Sequence, residues 1–194
     1  MKRLFFILTA FLFVFTLSAQ EKPEGLFINS KAPDFKAVDQ NGNSIRLKDM
    51  VKNGNVVLFF YRGNWCPYCS RQLKQLQDSL ELFVEKGVQV VAITPEKPEG
   101  ISKTIEKSNA TFPIIHDEEG KIMKAYDVRF ALDEKSVSRY KMSGIDLAAT
   151  NGKNGTNLPV PAVYIINKEN TIIYRYFNED YKKRVSVKEL LSNL

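Results

Sequence analysis

The chain has 194 residues but only two cysteines, one histidine and one tryptophan. That shortage excludes two large classes at once. A tetrahedral zinc site takes four nitrogen or sulfur ligands, and two cysteines plus His116, about fifty residues on, do not supply them, so no metal is expected. A scaffold stapled by several disulfides is equally out of reach. Long apolar runs are also missing, except for residues 4–17 (LFFILTAFLFVFTL), and these fall short of the ~20 that a bilayer-spanning helix needs. No internal repeat or low-complexity segment is present. With 44% hydrophobic and 26% charged residues, neither a disordered nor a fibrous chain is a reasonable reading.

The apolar run has Lys2 and Arg3 before it, and Ser18-Ala19 then Gln20-Glu21-Lys22-Pro23 behind it. This is the layout of a signal peptide over residues 1–19, cleaved after Ala19, with 20–30 as a short linker. The mature chain is then expected outside the cytoplasm, periplasmic or secreted, touching the membrane only during export. An uncleaved anchor is the competing reading. The remaining 175 residues suit one domain with a real core. The net charge of +6 falls to +4 without Lys2 and Arg3, and the basic residues are scattered apart from Tyr181-Lys182-Lys183-Arg184. Such an excess is a solvated surface, so no nucleic-acid partner is expected.

Both cysteines lie in Trp65-Cys66-Pro67-Tyr68-Cys69. As a staple the pair is badly placed: closing a four-residue loop stabilises by ~2 kcal/mol before strain, against ~4.7 for a hundred-residue loop. The flanks point to chemistry instead. Residues 55–61 (NVVLFFY) form an apolar, β-branched run that predicts a strand buried on both faces. Arg62-Gly63-Asn64 breaks it, and Leu73, Leu76, Leu80 and Phe83 then recur at helical spacing, predicting a helix over 67–86 with Pro67 at its first position. Cys66 then stands at the helix N-terminus, where unpaired N–H groups and the macrodipole favour a thiolate, and Cys69 follows one turn later. An attacking thiolate backed by a second thiol is what disulfide exchange requires.

Beyond the motif, residues 39–43 (DQNGN) predict a hairpin turn, 89–94 (QVVAIT) a second buried strand and 101–109 a helix. Residues 113–115 make a short strand and 121–126 a helical turn or two. Residues 162–167 and 171–176 form a hairpin, and 186–193 a closing helix with Ser186 and Glu189 spaced as a capping box. The fold class is therefore α/β, a central mixed sheet flanked by helices. The polar stretch 132–159 carries no clear pattern and is read as an insertion beside the active site.

Several ordered blocks from Lys31 to the C-terminus, KAPDF, FFYRGNWCPYCSRQL, VVAITPE, FPIIHDEEGKIMKAYDV, LPVPAVYIINKENTI and FNEDYKKR, resemble the thioredoxin superfamily, specifically its peroxiredoxin-like AhpC/TSA (redoxin) branch. The resemblance implies a thioredoxin-like domain over 31–194 and an oxidoreductase whose cofactor is none beyond its own redox disulfide. Its partners would be client or electron-donor dithiol proteins, with peroxide as a further substrate. It also places Pro161, after Val160, where thioredoxin-like proteins carry a cis-proline facing the disulfide. Peroxiredoxins carry Pro-x-x-x-Thr-x-x-Cys; here Arg62 replaces the proline, Cys66 the threonine, and Cys69 takes the peroxidatic position, while Pro161 replaces an arginine that polarises peroxide. The Pro67-Tyr68 dipeptide is that of glutaredoxins and implies a poise near ~−200 to −230 mV. Phe60 replaces thioredoxin's buried aspartate, and Glu96 matches a glutamate of extracytoplasmic thioredoxin-like reductases that would pass protons to Cys69. Trp65 is expected to shield the disulfide, and Arg62 to steady a thiolate or a substrate carboxylate. His116 reads as an ordinary exposed histidine, and Asp180, Tyr181 and Arg184 as a structural block.

The replacements at Arg62 and Pro161 lead toward thioredoxin-type exchange, so the expected function is an exported thiol–disulfide oxidoreductase in which Cys66 attacks, Cys69 resolves and Pro161 shapes the groove. The alternatives are a thiol peroxidase, in which Cys69 attacks and Cys66 condenses with the sulfenic acid, and a non-catalytic binding module.

Overall fold

The computed structural model describes residues 22–194, so the leader expected over 1–19 lies outside the described residues. β1 (Lys36–Val38) and β2 (Ser44–Arg46) pair as a hairpin ahead of the central sheet. That sheet has five strands in the order β5-β4-β3-β8-β9, namely Ile114–His116, Gln89–Thr94, Val56–Phe60, Ala162–Ile166 and Ile172–Phe177. β3, β4 and β5 run parallel, β8 runs antiparallel beside β3, and β9 returns antiparallel to β8. Mixed pairing follows from the connections: helical crossovers join the parallel strands, and a tight turn at 167–171 joins the last two.

Successive side chains of a strand point to opposite faces, and β3 is buried on both. Val57, Phe59 and Tyr61 pack on one face with Leu73, Leu76 and Phe83. Val56, Leu58 and Phe60 enter a second core with Leu47, Val51, Met123 and Tyr126. The first face is covered by α2 (Pro67–Asp78), α3 (Leu80–Glu85), α4 (Pro98–Ser108) and α8 (Val187–Leu191); the second is covered by α1 (Leu47–Asn53) and α5 (Lys121–Ala125). The core thus clamps the strand that carries the cysteine motif at its end.

The structure refines several expectations. The helix expected over 67–86 breaks at Ser79 (φ −116, ψ 11), whose N–H bonds back to Leu76 and Gln77. The turn lets Phe83 reach the core while Leu82 and Val84 stay exposed. Residues 132–159 are not structureless: β6 (Arg129–Ala131) pairs with β7 (Asn157–Pro159), closing an excursion that holds α6 (Glu134–Met142) and α7 (Leu147–Asn151). α6 buries no residue, so it has no apolar stripe to read; its signal is the Asp133 cap, which accepts from the Ser136 N–H at 2.8 Å. The segment read as a linker lies against the domain, with Gly25 donating to the Asp127 carbonyl at 2.9 Å and Asn29 to Ile172 at 2.8 Å. At the other end, Ser186 accepts from the Glu189 N–H at 3.1 Å, but the Glu189 carboxylate is taken by the Tyr174 hydroxyl, leaving half a capping box.

One backbone contact sets the spacing at the base of β3 and β4. A Cβ on Gly54 would lie 1.9 Å from the Gly87 carbonyl oxygen, which is backbone and cannot rotate away. Gly54→Ala is expected to cost about 2 kcal/mol or more and to lower Tm by roughly 4–8 °C. An unchanged melting curve would contradict this packing.

Candidate active site

The site grows from the end of β3. Tyr61 extends the pairing by one bond to Ile93, 3.0 Å, and the chain then turns through Arg62-Gly63-Asn64-Trp65 into α2. Cys66 is the N-cap (φ −92, ψ 107), Pro67 takes the first helical position, and the Cys66 carbonyl accepts from the N–H groups of Cys69 (3.0 Å) and Ser70 (3.1 Å). Pro suits that place because its missing N–H would have no partner there.

Glu96 fastens this loop. It follows β4, is fully buried, and its Oε1 accepts from the Asn64 N–H at 2.6 Å and the Asn64 side-chain amide at 2.5 Å. Thr104 Oγ1 of α4 donates to Oε2 at 3.3 Å, and Lys107 grips the same asparagine from outside at its carbonyl, 2.8 Å. Gly63 (φ +153) passes so close that an added Cβ would lie 2.8 Å from Glu96 Oε1. Burial raises the Glu96 pKa, the Asn64 bonds pull it back in part, and the nearby Cys69 adds to the rise. The carboxylate expected as a proton carrier is thus tied into the wall of the loop.

Both cysteines are free thiols, with Cys66 2% and Cys69 1% exposed. Their positions differ electrostatically. Arg184, from the tail after β9, places Nη2 3.5 Å from Cys69 Sγ and 4.0 Å from Cys66 Sγ. Burial alone would push the Cys69 thiol up. The bond from the Cys66 thiol, the Arg184 charge and the Arg62 backbone N–H outweigh it and bring Cys69 down to about 6. Cys66 moves the other way, held protonated by its bond to Cys69 and by burial. The sequence reading put the thiolate on Cys66; the structure favours Cys69, which accepts the hydrogen bond of the Cys66 thiol and lies nearer the Arg184 guanidinium.

Aromatic rings enclose the entrance. The Arg62 guanidinium lies 5.0 Å from the Trp65 ring centre, 5.6 Å from Tyr140 and 4.2 Å from Tyr181, and it donates to the Tyr140 hydroxyl. Trp65 meets Tyr140 edge-on at 5.2 Å, and Tyr68 meets Tyr181 at 6.0 Å. The structure therefore gathers Arg62, Trp65, Cys66, Tyr68 and Cys69 as expected, and Tyr140 brings the 132–159 excursion to the site.

Val160 and Pro161 are buried and line a cavity beside Arg62. The cis peptide expected at Pro161 is corrected: among the described residues every peptide bond is trans. Val160 donates to the Val128 carbonyl at 2.8 Å and the Pro161 carbonyl accepts from Asn178 at 3.3 Å. These bonds carry the backbone straight into β8, an interior strand. His116, expected exposed, is half-buried at the end of β5.

The residues that sequence reasoning missed are Arg184, Tyr181 and Tyr140. Arg184 was placed with the structural tail block, and nothing in linear spacing joins position 184 to position 69. The one available signal was negative: Pro161 removes a cation from the site, leaving room for one supplied from elsewhere.

Solved structures share this architecture. A peroxidoxin BcpB of Mycobacterium tuberculosis superposes with a TM-score of 0.66 at 18% identity, covering 89% of this chain and 96% of that one. A peroxiredoxin 6 mutant of Arenicola marina gives 0.68 at 19%, covering 86% and 71%. A dithiol at the head of the helix after the central strand of such a sheet is the thioredoxin-like arrangement. The chain belongs to the AhpC/TSA family, whose pattern matches residues 28–175. It is 30% identical over 102 residues to the thiol-disulfide oxidoreductase ResA of Geobacillus kaustophilus, which is 52% of this chain and 58% of that protein. It is 33% identical over 101 residues to peroxiredoxin Bcp of Bacillus subtilis, 52% of this chain and 64% of that one. The chain thus spans under two thirds of either relative. A putative peroxiredoxin of Mycobacterium tuberculosis is matched over 148 residues at 25%, 76% of this chain and 83% of the relative.

Proposed function

We propose that this chain is an exported two-cysteine thiol peroxidase in which Cys69 attacks and Cys66 resolves. The observation that carries the reading is the Arg184 guanidinium 3.5 Å from Cys69 Sγ, with both sulfurs almost fully buried. A thiolate this buried is reached by a small oxidant with the site closed, whereas exchange with a protein requires the loop around the dithiol to open. The Cys69 thiolate takes the terminal oxygen of a hydroperoxide, breaking the O–O bond and leaving a sulfenic acid and an alkoxide, which takes a proton from solvent to leave as the alcohol. The Cys66 thiol displaces that oxygen as water and closes the disulfide. A dithiol protein then returns two electrons and two protons by exchange. No cofactor enters the cycle, since the disulfide itself carries the electrons. Export rests on the leader-like pattern of residues 1–19.

A second reading, exchange with protein disulfides begun by Cys66, is favoured by the place of Cys66 at the helix cap with Pro67 behind it. The Cys66→Ser variant separates the two. Mixed with one equivalent of hydrogen peroxide, it is expected to consume the oxidant once and to accumulate a sulfenic acid on Cys69, trapped by dimedone and located by mass spectrometry. If no sulfenic acid forms, and Cys69→Ser instead accumulates mixed disulfides through Cys66, the peroxidase reading fails and exchange replaces it.

A further inference from the structure

Beside the dithiol lies a cavity of about 580 Å³ walled by Arg62, Phe130, Leu132, Val160 and Arg139. Arg62 is 3% exposed, and its Nε is buried with no hydrogen-bond partner. Among the described residues no carboxylate pairs with it, and its one side-chain hydrogen bond runs to the neutral Tyr140 hydroxyl. Three rings cover the guanidinium. Rings attract a cation, yet they leave most of its five N–H donors without an acceptor.

Buried charges are ordinarily paired, and a lone guanidinium in a low-dielectric wall calls for an anion. The cavity holds two carboxylates of its own, and neither answers. Asp133 is engaged in capping α6 through the Ser136 N–H and hydroxyl, both at 2.8 Å, and Glu179 is exposed. Phe130, Leu132, Pro159 and Val160 give the cavity apolar lining, and the exposed Arg139 and Lys22 add positive charge to it.

We propose that this cavity binds an organic carboxylate with an apolar body, its head on Arg62 with Arg139 in support and its chain along Phe130, Leu132 and Val160. This goes beyond the redox reading, because it holds whichever cysteine attacks.

Trp65 is the only tryptophan and stands 5.0 Å from the Arg62 guanidinium, so its fluorescence reports the site directly. The mature protein carrying Cys66→Ser and Cys69→Ser, which cannot turn over, is titrated with octanoate and separately with octanol. Octanoate is expected to give a saturable change with Kd about millimolar or tighter, and octanol to bind at least about tenfold more weakly. Arg62→Met should weaken octanoate at least about tenfold and Arg139→Gln about threefold. Equal binding of octanol and octanoate, no saturable response, or unaltered octanoate binding in Arg139→Gln would each overturn the proposal. If Arg62→Met does not fold, the ligand pair and the Arg139 variant still decide. Peroxide consumption by the wild-type protein is measured apart, so failure here is distinct from failure of the peroxidase reading.

Discussion

Arg184→Met is expected to move the pH midpoint of Cys69 alkylation from about 6 upward toward that of a free thiol, ~8.5. The guanidinium 3.5 Å from Sγ is the nearest full positive charge to that sulfur among the described contacts, and removing it leaves the Cys66 thiol and the Arg62 N–H as donors. Two effects then oppose each other. A full shift would cut the ionised fraction roughly 160-fold at pH 6 and 30-fold at pH 7. Nucleophilicity rises with pKa by a Brønsted slope of ~0.4–0.5, which returns about 10- to 18-fold. A full shift would make the variant about tenfold slower with iodoacetamide at pH 6, two- to threefold slower at pH 7 and faster above pH 9; because the Cys66 and Arg62 bonds remain, these are the largest changes expected. The crossing of the two rate profiles is the diagnostic. Parallel profiles with one midpoint would show that Arg184 does not set the charge on Cys69.

The same shift has a consequence for folding of the reduced protein. A thiol whose folded pKa lies below its unfolded value adds stability that is fully present above the unfolded pKa and is lost as pH falls through the folded one. Between pH ~8.5 and about 6, the reduced wild type should therefore lose stability on acidification, and Arg184→Met should flatten that slope.

Much of this molecule could be read from the chain because local and tertiary signals agree. β3 and β4 are runs of apolar residues that only a doubly covered sheet can bury, and Pro67 fixes the start of α2 whatever surrounds it. The dithiol and its place at a helix tip followed from those elements. The distribution of charge between the sulfurs did not, since it depends on a residue 115 positions away whose approach is set by the turn after β9. The bonds from Asp180 to Asn178 and from Lys182 to Asp180 shape that turn, and they are local; where it lands is not. α6 escaped for the opposite reason: it packs nothing into the core, so no hydrophobic period marks it, yet its Tyr140 reaches Trp65 and Arg62. Glu96 was legible by resemblance, but its burial beneath the Asn64 loop was not, because that depends on how the loop folds back over the end of β4.

That burial makes the two simplest replacements of Glu96 behave differently. Glu96→Ala removes the acceptor of the buried Thr104 hydroxyl and of the half-buried Asn64 N–H and side-chain amide; an unsatisfied buried donor costs about 1–3 kcal/mol and a half-buried one less. A loss of roughly 3 kcal/mol, or about 6–12 °C in Tm, is expected for a domain of this size. Glu96→Gln keeps an acceptor for Asn64 and should stay near the wild-type Tm. It also removes a negative charge that faces Cys69: since the Cys69 charge raises Glu96, loss of the Glu96 charge must ease ionisation of Cys69. The alkylation midpoint of Glu96→Gln should therefore fall below that of the wild type, opposite to the shift in Arg184→Met. A Glu96→Gln protein with an unchanged midpoint but slowed turnover would return Glu96 to proton transfer, and the loop anchor would then be its lesser role.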